Sequence, residues 1–282
     1  MKLEKISVTK QALMKEAGIY KVVNSEYFPK FISYGETEKY RFLVMERCGT
    51  SLSTIRRLLP NKVFSLSTVM RIGIEMLRAI EKMHSYGYIH RDIKPSNFLV
   101  RPSRKHPIAL MDFGLCRQYY DVARGEMLPA RNRPGFVGTL KYASLNAHSG
   151  RELGRRDDLF SWFYSLVEMR LGKLPWSFSD KNKVYRTKLS TDIQKLLKYF
   201  PPQIMSVYRL IRRLKREDTP CYDLIVSFMV EGIEQAEISW NEKFDWETID
   251  QNTLSEYSIP LIPPNDETPN IPERVNPVMP PF

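Results

Sequence analysis

The pattern of apolar and polar positions predicts a chain with short strands near its start and longer helices after them. Apolar residues recur every three to four positions in residues 7–23 and 64–85, which is the spacing of one helix face. Residues 157–169 are apolar nearly all round, as expected of a helix buried inside a core. The other predicted elements are strands at 31–34, 40–45, 98–100 and 108–111, and helical segments at 190–200, 203–215 and 222–234.

Capping and turn residues support several of these boundaries. Ser65 is a suitable N-cap for the helix at 64–85, and Gly87 ends that helix. The strands at 31–34 and 40–45 flank a glycine-containing loop, which predicts a hairpin. From Ile259 onward, eight of 24 residues are proline. Proline cannot donate backbone hydrogen bonds, so we expect an extended tail, either passive or bound by a proline-recognising domain.

Composition restricts the class of protein. The chain has 282 residues with 43% hydrophobic and 27% charged content, which is typical of a globular protein with a large core. Its three widely spaced cysteines argue against a disulfide framework or a zinc site and favour a reducing cytoplasmic setting, with the nucleus as the alternative. No signal peptide and no apolar run of about 18 residues is visible, so we expect a soluble protein without a membrane span.

The net charge of +11 has two interpretations. A basic surface can bind nucleic acid by neutralising phosphates. The basic clusters at 56–57, 155–156 and 212–216, however, have no interleaved aromatic residues for base stacking. We therefore expect most of this charge to be solvated surface charge, and a basic surface of this kind to suit acidic or phosphorylated polypeptides better than nucleic acid, which we do not expect as a partner.

Polar side chains gather around the two short strands at 98–100 and 108–111. Asp92, Lys94 and Asn97 come shortly before the first strand, and Asp112 directly follows the second. Two apolar strands with carboxylates at their polar edges predict a site for metal and phosphate. The order and spacing of these groups, with Asp92 in His-Arg-Asp and Asp112 in Asp-Phe-Gly, resemble the protein kinase template.

A long polar segment follows Asp112 and continues to residue 145. Such a stretch inside a compact domain is usually functional or disordered. It contains four arginines, whose guanidinium groups offer forked donors for phosphate or carboxylate, or else only solubilising charge. These are Arg117, Arg124, Arg131 and Arg133, and Thr139 follows them.

Three further polar positions lie in predicted helices. Glu16 interrupts an apolar helix face, and its candidate partner is Lys2, 14 residues earlier. The pattern alone favours a surface carboxylate and a terminal lysine. His84 ends the helix at 64–85 and is assigned to packing rather than to catalysis. Asp158 lies at a helix N-terminus, where a carboxylate binds backbone N–H groups, so we assign it a structural role.

Longer motifs carry a more specific resemblance. Ile-Lys-Pro-Ser-Asn-Phe at residues 93–98 is similar to the casein kinase 1 group of protein kinases. Ser-Leu-Asn at 144–146, where most kinases have Ala-Pro-Glu, and Arg-Arg-Asp-Asp-Leu at 155–159 resemble the same group. Within it, the tau-tubulin kinases are most similar. The motifs concerned are Tyr-Ala-Ser-Leu-Asn-Ala-His at 142–148, Gly-Lys-Leu-Pro-Trp at 172–176 and Phe-Asp-Trp at 244–246.

The resemblance implies an α+β protein with a two-lobed protein kinase fold, in which the N-terminal β lobe is truncated and the mostly helical C-terminal lobe is complete. Residues 1–48 are the partial N-lobe, with a strand stub, a helix and a hairpin. Residues 49–250 are the C-lobe, and residues 251–282 are the proline-rich tail, which we expect to be disordered. The implied activity is transfer of the ATP γ-phosphate to serine or threonine of proteins by a monomer that uses Mg²⁺.

The resemblance also implies roles for individual residues. Asp92 is the catalytic base, Lys94 contacts the γ-phosphate, and Asn97 and Asp112 hold Mg²⁺. Residues expected to bind ATP, with Met45 beside them as gatekeeper, are Lys2, Glu16, Glu46, Cys48 and Leu99. Residues expected in the activation loop, where they bind substrate anions or the catalytic groups, are Arg117, Arg131 and Thr139.

One departure from the family pattern concerns the start of the sequence. Only Met1 precedes Lys2, so the Gly-rich loop that covers the phosphates is absent. We expect that so short a stub forms no strand, and that the Lys2–Glu16 pair is insecure. Two hypotheses follow: the chain is a fragment of an active kinase, or it is a truncated relative that serves as a protein-binding scaffold. Retention of Asp92 and its neighbours favours the first.

Overall fold

A computed structural model describes residues 1–9, 11–263 and 271–272. The strands are β1 (Lys2–Lys5), β2 (Phe31–Glu36), β3 (Tyr40–Met45), β4 (Tyr88–Ile89), β5 (Phe98–Val100), β6 (Ile108–Leu110), β7 (Arg117–Gln118), β8 (Tyr120–Asp121) and β9 (Glu126–Met127). The helices are α1 (Ala12–Val22), α2 (Leu52–Leu58), α3 (Leu66–Ser85), α4 (Leu145–His148), α5 (Arg155–Leu171), α6 (Lys181–Ser190), α7 (Ile193–Leu196), α8 (Gln203–Arg213), α9 (Tyr222–Gln235) and α10 (Gln251–Glu256). A small sheet part therefore precedes a larger helical part.

The first three strands form an antiparallel sheet in the order β1-β3-β2. The predicted hairpin is confirmed as β2 and β3, which are joined by the turn around Glu38. Our expectation that no strand forms around Lys2 is wrong, because β1 pairs along its whole length with β3, with Lys2 opposite Leu43. Glu4 fixes this strand further by accepting a hydrogen bond from the backbone N–H of Leu13 at 3.2 Å.

The helical part is built around α3, which packs against α5 and α9. The predicted cap of α3 is confirmed, since Ser65 Oγ accepts a hydrogen bond from the Thr68 backbone N–H. Gly73 allows the close approach of the three helices: a Cβ atom there would lie 2.8 Å from Met229 Cε and 3.0 Å from Leu166 Cδ2. The indole N–H of Trp162 donates to the Gly73 carbonyl at 2.9 Å, which ties α5 to α3.

Two helix predictions differ from the structure. The first helix begins at Ala12 rather than at residue 7, because residues 6, 7 and 9 lie in turns that follow β1. The helix predicted at 190–200 is replaced by α6 and by the short helix α7. Helix α6 was missed because it buries only Val184 and Lys188, so its sequence has no apolar stripe.

The end of the described chain is also more ordered than predicted. Residues 251–256 form α10, which is capped by Asp250 and contributes the buried side chain of Leu254. Ile259 is buried as well. Our expectation of disorder is therefore wrong for the residues next to the body of the protein. The rest of the predicted tail, residues 264–270 and 273–282, lies outside the described residues.

A buried polar contact links the three central helices. The ring of His84 lies 2.9 Å from Asp158 through Nε2 and 2.6 Å from the Tyr222 hydroxyl through Nδ1. The assignment of His84 to packing is consistent with this environment. Burial lowers the pKa of His84 despite the nearby carboxylate. The pKa of Asp158 is below its usual value, because its contacts with His84 and His90 outweigh its burial.

The lowered pKa of His84 predicts a pH dependence of stability. The unfolded chain takes up a proton on this residue near pH 6.5, whereas the folded protein resists it, so protonation favours unfolding. We expect the free energy of unfolding to rise as the pH increases from about 5 to about 7, measured by urea denaturation. His84→Gln should reduce that slope.

His148 provides the comparison for this experiment. Burial, and then the charge of Lys188, lower the pKa of His148 to about 4, so it contributes to the slope with the same sign. His84→Gln and His148→Gln should each remove part of the slope, and the double variant should remove more than either. An unchanged slope in His84→Gln would show that this ring is not kept neutral by the fold.

Candidate active site

Two pairs of short strands bring the predicted chemical groups together. Strand β4 pairs with β7, and β5 pairs with β6, so the segment 90–97 lies beside the segment 111–116. The backbone N–H of Met111 donates to the carbonyl of Asn97 at 2.9 Å. The predicted arrangement of two apolar strands with polar groups at one edge is thus present in the structure.

Asp92 lies in a closed triangle of hydrogen bonds. Lys94 Nζ donates to Asp92 Oδ2 at 2.6 Å and to Thr139 Oγ1 at 3.1 Å. The Thr139 hydroxyl donates to Asp92 Oδ1 at 2.7 Å. The three side chains therefore fix one another, with the carboxylate held between an ammonium and a hydroxyl. A hydroxyl approaching from a substrate would meet a carboxylate of defined orientation.

Gly138 allows Thr139 to reach this triangle. Its φ of 99° is in a region that side chains rarely adopt, and a Cβ atom would lie 2.4 Å from the carbonyl oxygen of Arg91. The backbone before Thr139 therefore passes directly against the segment that carries Asp92, and only glycine fits there.

Asp158 supports the backbone of the same segment. Its carboxylate accepts hydrogen bonds from the backbone N–H groups of His90 at 2.6 Å and of Arg91 at 2.8 Å. Arg91 has a φ of 67°, a conformation that costs a non-glycine residue about 1–3 kcal/mol. The predicted role of Asp158 in binding backbone N–H groups is confirmed, although these belong to residues 90–91 rather than to its own helix.

Asn97 and Asp112 present oxygen atoms suited to a hard cation. The amide group of Asn97 donates to the Asp92 carbonyl at 2.9 Å, which leaves its side-chain oxygen available. The side chain of Asp112 is 43% exposed. Within the described residues there is no group of three acidic, histidine or cysteine side chains that could hold a metal ion. Magnesium commonly uses one or two protein ligands together with substrate phosphates, so Asn97 and Asp112 could hold it.

Lys2 connects the sheet to this site. Its amine lies 2.6 Å from Glu16 Oε1 and 2.9 Å from Asp112 Oδ1. Glu16 Oε1 also accepts the backbone N–H of Phe113 at 3.2 Å. The interpretation of Glu16 as a surface carboxylate, and of its pair with Lys2 as insecure, is therefore wrong. The sequence pattern could not reveal the partners, which come from a strand and from a segment about a hundred residues away.

Burial and the neighbouring charges shift the pKa values of all three groups in this contact. Burial lowers the pKa of Lys2, but the carboxylates of Glu16 and Asp112 outweigh it, so the pKa is raised overall. Burial raises the pKa of Glu16, and Lys2 only partly offsets this. The pKa of Asp112 is held below its usual value, because Lys2 outweighs its burial. Asp112 is thus kept ionised, as a metal ligand must be.

Packed aromatic rings continue from this contact into the helical part. The ring of Phe113 lies 4.4 Å from that of Tyr20 on α1, 5.4 Å from Phe28 and 6.0 Å from His90. Phe113 is 1% exposed. Helix α1, the Asp112 segment and the Asp92 segment therefore share one apolar contact, so a shift of α1 would disturb both segments.

The residues predicted to contact adenine lie near the connection between the sheet and the helices. Glu46 follows β3, but its carboxylate is bound by Arg101 at 2.8 Å and by the Lys30 backbone N–H at 3.0 Å. Burial raises the pKa of the Cys48 thiol. Leu99 is half-buried on β5, opposite Ala109. Their roles in binding ATP stay predictions.

The predicted anion-binding arginines have a partner that sequence reasoning missed. Arg131 Nε lies 2.8 Å from Glu152 Oε2, and Arg117 Nε lies 3.1 Å from Glu152 Oε1. Their predicted role in binding substrate anions stays a prediction. The sequence gives little indication that Glu152 is their partner, because it is a single acidic residue among several arginines.

The segment 144–146 is also held by a buried carboxylate. Ser144 Oγ donates to Asp157 Oδ1 at 2.6 Å, and the amide of Asn146 donates to the same oxygen at 3.0 Å. Asp157 Oδ2 accepts the backbone N–H of Gly154 at 2.8 Å. The serine and asparagine of this motif therefore fasten the residues after Thr139 to the start of α5.

Comparison with known proteins defines the family. The model of the protein kinase domain matches residues 1–235. The chain therefore belongs to the protein kinase family, and its small sheet and larger helical lobe are the predicted α+β kinase fold. It is similar to a probable serine/threonine-protein kinase of Dictyostelium discoideum, with 38% identity over 251 residues. The match covers 88% of this chain and 50% of the relative, so the chain spans about half the length of that protein.

The hydrogen-bonded triangle predicts a measurable stability difference. Thr139→Val removes the donor to Asp92 and leaves a largely buried carboxylate oxygen without it, which should cost about 1–2 kcal/mol. Thr139→Ser keeps the hydroxyl and should cost less. Urea denaturation of both variants measures the difference. Equal stability of the valine variant and the wild-type protein would show that the Thr139–Asp92 bond contributes nothing to the fold.

Proposed function

We propose that this chain transfers the γ-phosphate of ATP to serine or threonine residues of proteins. The observation that carries the proposal is the triangle of Asp92, Lys94 and Thr139 beside the oxygen groups of Asn97 and Asp112. Phosphoryl transfer needs little covalent chemistry from the protein, so its groups act mainly by positioning and by neutralising charge. The name of the Dictyostelium relative, a probable serine/threonine-protein kinase, supports the same reaction.

Each group has a role in this proposal. Asp92 accepts the proton of the substrate hydroxyl, and Lys94 neutralises charge on the transferred phosphate. Lys2, held in place by Glu16, contacts the nucleotide phosphates. Asn97 and Asp112 hold Mg²⁺, which neutralises charge on the phosphate oxygens when it is bound. Glu46, Cys48 and Leu99 form the adenine side of the site.

The proposed subtype is the casein kinase 1 group, close to the tau-tubulin kinases. The contacts of Ser144 and Asn146 with Asp157 support it, because they give a structural reason for the Ser-Leu-Asn motif. In this proposal these two side chains fix the segment after Thr139, which most kinases hold through a different motif. The serine/threonine pattern of Lys94 and Asn97 is part of the same resemblance.

The proposed substrates are proteins that are acidic or already phosphorylated. Support comes from the net charge of +11 and from the arginines around the site. We propose that the chain acts as a monomer in the cytoplasm or nucleus, where its three free cysteines remain reduced. In the described part of the chain, no helix has the length and apolar character needed to cross a bilayer.

Replacement of the proposed base tests the reaction. Asp92→Ala should lower the rate of γ-phosphate transfer to a serine/threonine peptide mixture by roughly 10²–10⁴-fold. The affinity for ATP should change much less, because Asp92 contacts the substrate hydroxyl rather than the nucleotide. Transfer of radiolabelled phosphate measures the rate, and calorimetry measures the affinity.

Glu38→Gln is the matched control, since this carboxylate lies exposed in the β2–β3 turn. It should keep the wild-type rate. Equal rates for wild-type protein and Asp92→Ala would remove Asp92 from its proposed role. Absence of transfer by the wild-type protein toward every peptide would favour the scaffold hypothesis instead.

A further inference from the structure

Helix α6 carries a lysine that is buried although the rest of the helix is largely polar. Lys188 is 6% exposed, and Val184 is the other buried residue of α6. A lysine on a helix normally extends its amine into water, because removing the amine from water costs free energy unless the group finds partners. The partners of this amine therefore show why it is buried.

The amine of Lys188 binds backbone carbonyl groups rather than a carboxylate. Its Nζ donates to the carbonyl of Ala143 at 2.6 Å and to that of Leu140 at 2.9 Å. It also lies 3.3 Å from His148 Nε2, on α4. In the described part of the chain no carboxylate forms an ion pair with it, and burial lowers its pKa to about 7. The hydrogen bonds of Lys188 are therefore directed at the backbone of residues 140–143.

Two aromatic rings lie close to this amine. The ring centroid of Tyr164 is 5.0 Å from Nζ, and that of Trp176 is 5.6 Å away. Both side chains are buried, Trp176 completely. Because such rings exclude water, the bonds from the amine to the two carbonyls form in an environment of low dielectric constant, where hydrogen bonds are strong.

The residues that Lys188 binds form a single turn directly after Thr139. The Thr139 carbonyl accepts the backbone N–H groups of residues 142 and 143, each at 3.0 Å. Three other carbonyls of the turn are bound by side chains from outside it. Lys188 binds those of residues 140 and 143, and the indole N–H of Trp176 donates to that of residue 141 at 2.8 Å. Side chains of distant elements therefore fix the turn in place.

This turn is joined to the reactive groups through Thr139. The Thr139 hydroxyl donates to Asp92 and completes the triangle described above. On its N-terminal side, Gly138 lies against the carbonyl of Arg91. On its C-terminal side, the carbonyl of Leu140 is held by Lys188. A shift of the turn would move the Thr139 hydroxyl away from Asp92, and small displacements near a reacting group cost rate.

We propose that Lys188 is a positioning residue for phosphoryl transfer: its amine fixes the turn at 140–143 and so holds Thr139 against Asp92. The proposal rests on the proposed function, but the order of the turn can be measured without any activity. Lys188 acts through the backbone on either side of the turn and not on the substrate.

The test uses the full chain with Lys188→Met. Methionine keeps an unbranched side chain of similar length and removes both hydrogen bonds. Because a buried amine is replaced by an apolar group, the free energy of unfolding should stay the same or rise. Lys183→Met is the matched control, since it makes the same substitution at an exposed lysine of the same helix.

Three measurements are compared for the wild-type protein and the two variants. Urea denaturation gives the free energy of unfolding. Hydrogen exchange of the amides of residues 142 and 143 gives the order of the turn, because these amides bond to the Thr139 carbonyl. Phosphorylation of a serine/threonine peptide mixture gives kcat and the KM for ATP.

Lys188→Met should exchange these two amides faster than the wild-type protein. Its kcat should be lower by about tenfold, a change of about 1.4 kcal/mol in the barrier. The KM for ATP should stay unchanged, because Lys188 contacts the turn rather than the groups that bind the nucleotide. Lys183→Met should match the wild-type protein in all three measurements.

Four results would overturn the proposal. Two are an unchanged kcat and an unchanged exchange in Lys188→Met. The third is a lower free energy of unfolding in Lys188→Met, which would show a general role in folding, and the fourth is the same loss in Lys183→Met. Inactivity of the wild-type protein would contradict the proposed function alone, and the exchange of residues 142 and 143 would still decide whether Lys188 orders the turn.

Discussion

The buried carboxylate of Asp158 holds the backbone on which the candidate site is built. It binds the N–H groups of His90 and Arg91, and Arg91 has a positive φ that an unsupported loop would not keep. Because this conformation sets the direction of the next residue, it also sets where the Asp92 carboxylate points. His84 binds the same carboxylate from α3, so the packing of the central helices is coupled to the geometry of the site.

A second set of contacts connects the N-terminal sheet to the backbone segment that Asp158 holds. Glu16 binds both Lys2 and the backbone of Phe113, while the Phe113 ring packs against Tyr20 and His90. Helix α1 is therefore fixed by an ion pair on one side and by apolar packing on the other. Asp157 and Glu152 hold the segment that returns through Thr139. Four buried carboxylates thus fix the parts that surround the reactive groups.

The sequence predicted features that depend on neighbouring residues better than contacts between residues far apart along the chain. Asp92, Lys94, Asn97 and Asp112 could be placed because their spacing along short strands determines where they meet. Helix α6 could not be predicted from the sequence, because it buries one lysine and one valine and so has no apolar stripe. Strand β1 and the buried state of Glu16 depend on partners far along the chain, and Glu152 depends on a turn that no local pattern reveals. Such long-range ion pairs become visible only once the fold brings them together.

If the site is that of a kinase, Lys2, Asn97 and Asp112 together bind the metal and the nucleotide. Titration calorimetry of ATP with the wild-type chain, with and without Mg²⁺, measures this. ATP should bind only with Mg²⁺, and its binding should weaken by about tenfold or more, or about 1.4 kcal/mol, in Asp112→Asn but not in Glu38→Gln. Binding of equal strength in the presence of a chelator, or no binding by the wild-type chain with Mg²⁺, would contradict it.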